Sequence, residues 1–154
     1  MNKILVRRVG PEIVELGRLA GSVTVTCVSD DVVRLSMKNL EGLDGSSVEF
    51  FIGGTYPFRP PVVAVNSRSY IQMLCCSTPR LASIIESLGG GGDKCLCCKS
   101  VLCENNWYPG LTLCQLLTEV RGTLETHRKS LHIYYCRIIA NEHLTHDLPL
   151  ESYL

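Results

Sequence analysis

Three prolines in six residues, Tyr56-Pro57-Phe58-Arg59-Pro60-Pro61, constrain this chain more than any other feature. Proline fixes φ and lacks the amide donor that a ladder requires, so this stretch cannot lie within a central strand. It reads instead as a rigid extended crossing that ends one strand and delivers the next. Three extended segments precede it. Residues 22–28 alternate Val23, Val25 and Cys27 with polar neighbours, residues 32–40 begin with β-branched side chains, and residues 47–52 contain Val48, Phe50 and Phe51. Turn-forming residues separate them at Ser29-Asp30-Asp31 and at 41–46, which is hairpin spacing. A fourth short strand is expected over 62–65, after the prolines.

The flanking regions read as helices. Residues 2–19 carry Ile4, Leu5, Val9, Ile13, Val14 and Leu16 at helical spacing, and Gly10-Pro11 is expected to break them into a short helix and a turn. From Pro79, the residues Leu81, Ile84, Ile85 and Leu88 repeat helically, with Ser77 or Thr78 as cap and Pro79 in the first turn. The glycines at 89–92 end that helix as a linker. Thr112-x-x-Gln115 is a capping box for the stripe Leu113, Leu116, Leu117, Val120 and Leu124. A second stripe, Leu131, Tyr134, Tyr135, Ile138, Ile139 and Leu144, is expected to be core as well. His127, His132, His143 and His146 read as surface or capping residues. The whole is an α+β layout: an N-terminal helix, a four-stranded antiparallel meander and C-terminal helices. Residues 1–154 are long enough for a single domain with its own core.

Fifteen basic and fifteen acidic side chains cancel, which gives no reason to expect nucleic acid or an anionic membrane as a partner. Ile4-Leu5-Val6 is followed at once by two arginines, too short an apolar core for a secretory signal. No apolar run approaches the ~20 residues of a membrane span. A soluble protein of the cytoplasm and/or nucleus is the expectation. Nine cysteines, an odd number, argue against a disulfide framework there. Cys27, Cys114 and Cys136 are expected to be small buried hydrophobes. Cys75, Cys76, Cys95, Cys97, Cys98 and Cys103 leave two chemistries open, a reactive thiol or a structural zinc site built on the Cys95-x-x-Cys98 pair with Cys103 and Cys75-Cys76. The irregular spacing weighs against zinc, and no cofactor is expected.

The proline box, a cysteine-bearing segment, Trp107-Tyr108-Pro109 and a capped helix, in that order, resemble the ubiquitin-conjugating enzymes. The resemblance covers nearly the whole chain and implies the fold of that family. It also implies a reaction: a cysteine accepts ubiquitin or a ubiquitin-like protein as a thioester from an activating enzyme and passes it, with a ligase, to a lysine. Cysteine suits both steps, being nucleophilic near neutral pH and a good leaving group. Cys95 follows Gly92 in a G-x-x-C-L arrangement similar to the family's. Cys98 begins Cys-Lys-Ser-Val-Leu and stands nearer the family's distance from Trp107. Both remain candidate catalytic residues, with Cys95 slightly preferred. For partner binding, the resemblance implies a ligase-docking surface of Phe58, Tyr108, Pro109 and Gly110, and an activating-enzyme contact through Lys3, Arg7 and Arg8.

The chain departs from the family pattern near the chemistry. Where the family has His-Pro-Asn, whose asparagine supports the oxyanion, this chain has Ile71-Gln72-Met73. Losing such a donor lowers the rate about a hundredfold or more. Gln72, Asn105 or Asn106 are possible substitutes. The family's acidic or serine gate loop has no counterpart at 123–130, and a segment at about 74–93 is inserted. A catalytically inactive scaffold or adaptor of the same fold, like the variant and RWD-type relatives, is therefore the alternative, and it could carry the zinc site.

Overall fold

The computed structural model describes residues 3–43, 45–75, 78–90 and 96–143. The chain opens with α1 (Lys3–Ala20) and continues through β1 (Thr24–Ser29), β2 (Val32–Lys38), β3 (Ser47–Gly53), β4 (Val62–Val65) and a two-residue β5 (Arg68–Ser69). Helices α2 (Tyr70–Cys75), α3 (Pro79–Ile85), α4 (Leu96–Lys99) and α5 (Leu113–His143) follow, with a π turn over Glu86–Gly90 after α3. The fold is α+β, with every strand pairing antiparallel to its sequence neighbour in the order β1-β2-β3-β4-β5. The four expected strands are present, and β5 adds a fifth. It is formed by a tight return through Asn66 and Ser67, both at positive φ.

Alternation decides which sheet face is buried. Val33, Leu35 and Met37 on β2 and Val48, Phe50 and Ile52 on β3 point inward, while Arg34, Glu49 and Phe51 occupy the opposite face. The inward side chains join Val9 and Leu16 of α1 and Leu113, Leu116, Leu117 and Val120 of α5 in one core. Each fully buried Leu, Ile or Phe contributes roughly 1.5–3 kcal/mol relative to exposure. Helices therefore cover one face of the sheet, and α2 closes the core with Tyr70 and Leu74.

Three expectations are corrected here. Helix α1 runs through Gly10-Pro11 without a break. Proline normally clashes with the Cβ of the preceding residue, and Gly10 has none. Pro11 and Arg7 are exposed, so water can satisfy the Arg7 carbonyl left without its i+4 amide. Secondly, the first carboxy-terminal stripe and the second from Leu131 to Ile139 lie on one helix of 31 residues, while Leu144 lies outside the described residues. Gly122 weakens a helix by only about 1 kcal/mol relative to alanine, too little to stop one with no proline nearby. The first stripe is buried, but Tyr135 and Ile139 of the second are more than half exposed, because α5 runs beyond the sheet and packs there against α3. Thirdly, Cys27 is exposed rather than buried, since β1 is an edge strand of the sheet. Cys114 and Cys136 are half-buried.

The local signals behave as their chemistry requires. Thr78 caps α3, accepting from the Leu81 amide at 3.3 Å, with Pro79 in the first turn. At α5, the Thr112 amide donates to Gln115 Oε1 at 2.9 Å and the Gln115 amide to Thr112 Oγ1 at 3.2 Å, a reciprocal capping box.

Candidate functional site

The proline box is fixed from three sides. Its Tyr56–Pro57 peptide is cis. The buried Tyr56 ring sends its hydroxyl to Glu12 of α1, 2.8 Å from Oε1 and 3.0 Å from Oε2. Burial, the Glu12 hydrogen bond and the Glu12 charge all keep that phenol protonated far above its ordinary range. The same carboxylate accepts from the Leu113 amide at 2.7 Å, the first turn of α5. There the helix dipole favours a negative charge. Arg8 Nη1 donates to the Tyr56 carbonyl at 3.3 Å, and its guanidinium lies 5.7 Å from the Phe58 ring centroid. On the other side, Trp107 Nε1 donates to the Pro57 carbonyl at 2.8 Å and its ring tilts against Tyr56, centroids 6.2 Å apart.

These bonds hold the box while leaving Phe58 outward, 69% exposed. Tyr108, Pro109 and Gly110 are exposed directly after Trp107, beside that junction. A Cβ on Gly110 would stand 3.0 Å from the Tyr108 ring, so a larger residue there would shift that ring. Arg7 is exposed on α1 one residue before Arg8. Lys3 begins α1, but its side chain lies outside the described residues. The expected partner residues Phe58, Arg8, Tyr108, Pro109 and Gly110 thus gather around the Pro57–Trp107 junction. Trp107 itself is a half-buried strut.

Cys95 lies outside the described residues. Cys98 is exposed near the end of α4, its sulfur 4.0 Å from that of Cys97. The segment after it is fixed by two side chains that sequence reading did not assign to this task. Asn106 Nδ2 donates to the Cys98 carbonyl at 2.8 Å and to the Ser100 carbonyl at 2.9 Å. Glu119 of α5 accepts from Ser100 Oγ at 2.7 Å and from the Val101 amide at 2.8 Å. Both Nδ2 hydrogens of Asn106 are therefore engaged with the backbone, which makes it a positioning residue for the Cys98 segment rather than an oxyanion donor. Gln72 and Asn105 are exposed. Ile71 and Met73 turn inward on α2 and pack against the core, so the stretch aligned with His-Pro-Asn is part of a helix.

Of the sequence's histidines, His127 is half-buried beside Glu119 and Thr123 in the wall of an open cleft. Burial pushes its pKa down. Among the described residues no group of three or more His, Cys, Asp or Glu is gathered to hold a metal. Cys76 and Cys95, two thiols of the zinc reading, lie outside those residues. No helix of the described residues is long and apolar enough to cross a membrane. Comparison with protein-family models, curated proteins and solved structures finds no match.

Proposed function

We propose that this chain is a divergent ubiquitin-conjugating-type protein of that family's fold, which carries ubiquitin or a ubiquitin-like modifier as a thioester. The observation that carries the reading is the docking face. Phe58 stands outward on a rigid box tied to α1 by Arg8 and Glu12 and to the Cys98-bearing segment's end by Trp107. Rigid exposed aromatics beside an arginine are the residue types that anchor protein interfaces. In the reaction, a cysteine thiolate attacks the thioester carbonyl on the activating enzyme, and that enzyme's thiolate leaves. A lysine amine then attacks the new thioester, forming an isopeptide bond and releasing the cysteine thiolate, and the amine proton passes to solvent or a base. Cys98 is the acceptor favoured among the described residues, being exposed on a segment held by Asn106 and Glu119; Cys95 is the competitor.

The second reading, a non-catalytic scaffold of the same fold, is favoured by one specific observation. Asn106, one of the three candidate oxyanion donors, has its amide engaged by two carbonyls. The charging reaction separates the two. The protein is mixed with activating enzyme, ATP and a panel of modifiers, and resolved with and without reductant alongside Cys95→Ser and Cys98→Ser. A reductant-sensitive adduct lost in Cys98→Ser is the expected result. Loss in Cys95→Ser alone moves the nucleophile, and no adduct with any modifier replaces the enzyme by the scaffold.

A further inference from the structure

Cys97 and Cys98 are neighbours in sequence on α4, and their sulfurs stand 4.0 Å apart. Neither sits in a disulfide. Both residues are held in place. Cys97 is half-buried and packs with Leu96 against the core, while the Cys98 carbonyl accepts from Asn106 Nδ2 at 2.8 Å. The Cys98 side chain is exposed, so a reagent reaches the pair from solvent. Geometry limits what the two thiols can become. A disulfide needs sulfurs about 2.05 Å apart and usually joins α-carbons roughly 4.4–6.8 Å apart, whereas a trans peptide holds sequence neighbours at about 3.8 Å. Closure would strain the bond and leave it easily reduced, so the pair persists as a dithiol. Zinc does not fit either: a structural site takes four donors, and among the described residues no three His, Cys, Asp or Glu gather. A single soft atom between the sulfurs does fit. Two bonds of about 2.3 Å, the zinc–thiolate length, span sulfurs up to about 4.6 Å apart, so 4.0 Å is bridged without moving the backbone.

We propose that Cys97 and Cys98 form a chelating dithiol for a trivalent arsenical, a metalloid with two exchangeable positions that take one sulfur each. Thiolates select soft centres. Trivalent arsenic, unlike zinc, completes its coordination with two protein sulfurs and one substituent of its own. The step balances without an oxidant. An arsenoxide, R–As=O, loses its oxygen as water, which carries away both thiol protons; two arsenic–sulfur bonds form, and arsenic stays trivalent throughout. The ring outlasts a one-thiol adduct, because once the first sulfur is bound the second is held beside it at high effective concentration. The reaction caps Cys98 by a route that owes nothing to thioester transfer.

The test treats the reduced full chain with phenylarsine oxide in excess glutathione and then alkylates every unprotected thiol with iodoacetamide. The arsenic is next released with 2,3-dimercaptopropanol, and the thiols it shielded are labelled with N-ethylmaleimide before peptide mapping. The second label is expected on both Cys97 and Cys98. Cys75 and Cys76 fall in a different tryptic peptide, so label there is read separately. Cys97→Ser and Cys98→Ser should each leave a one-thiol adduct that on the order of a hundredfold less glutathione strips away. Cys95→Ser should keep the protection of the parent. Protection confined to other cysteines, protection unchanged in Cys97→Ser or Cys98→Ser, or protection lost in Cys95→Ser overturns the proposal. The readout is arsenic held by two thiols, so its result stands apart from whether a cysteine forms a thioester.

Discussion

Among the described cysteines, accessibility differs residue by residue. Cys114 is half-buried, and burial followed by the charges of Glu15 and Glu12 pushes its thiol up, away from the reactive thiolate. Cys98 is exposed. Limited alkylation with iodoacetamide near neutral pH, read by peptide mass mapping, should therefore modify Cys98 well before Cys114; the opposite order would remove Cys98 as the accessible thiol. His127 makes a second residue-scale prediction. Its folded pKa lies below the ordinary 6.5, so the unfolded chain takes up that proton first as pH falls. Stability from this site is complete above 6.5, declines as pH drops below it, and levels off below the folded value. Melting temperatures measured across that window should fall less steeply for His127→Gln than for the parent; parallel slopes would show that another group dominates. The partial burial of Cys114 was legible from its place in a helical pattern, whereas that of His127 was not, because burial on that part of α5 is set by what packs against it.

At the scale of elements, Glu12 binds α1, the proline box and α5 together through two partners, Tyr56 and Leu113. Glu12→Ala should lower unfolding stability by about 3 kcal/mol, since hydrogen bonds to a charged group contribute roughly 1.5–3 kcal/mol each and are not additive. Glu12→Gln, which still accepts, should lose less. Urea denaturation measures both, and an alanine variant within about half a kcal/mol of the parent would sink this account. The elements themselves were largely readable. Thr78-Pro79 and Thr112-x-x-Gln115 are local signals that bond within their own turn, and the hydrophobic alternation of β2 and β3 states which face is inward. Glu12 was not, for its partners stand 44 and 101 residues away and leave no mark on neighbouring positions. The Gly10-Pro11 pair misleads because each residue alone weakens a helix, while together the glycine removes the clash the proline would make.

Across the whole molecule, the sheet ends at β1, where the apolar side chains of Val25 and Val28 are about half exposed among the described residues. Val25 and Cys27 pair with Leu35 and Val33, both buried, yet are exposed themselves. An uncharged apolar edge is a template for pairing with another chain. Val25→Lys should raise the concentration at which static light scattering detects association while leaving thermal stability nearly unchanged; a large loss of stability would place Val25 in the core after all. The meander order followed from hairpin spacing, whereas the exposure of its first strand depends on how far α1 reaches across the sheet, which no local pattern encodes. The Glu12 carboxylate carries one more consequence, for biosynthesis. Because it accepts from residue 113, the box that presents Phe58 lacks its full set of supports until the start of α5 has left the ribosome. A nascent chain halted before that point has every residue of Tyr56–Pro61 and no anchored docking face. The candidate recognition surface is therefore completed only after the start of α5 has emerged, together with the helix that completes the core.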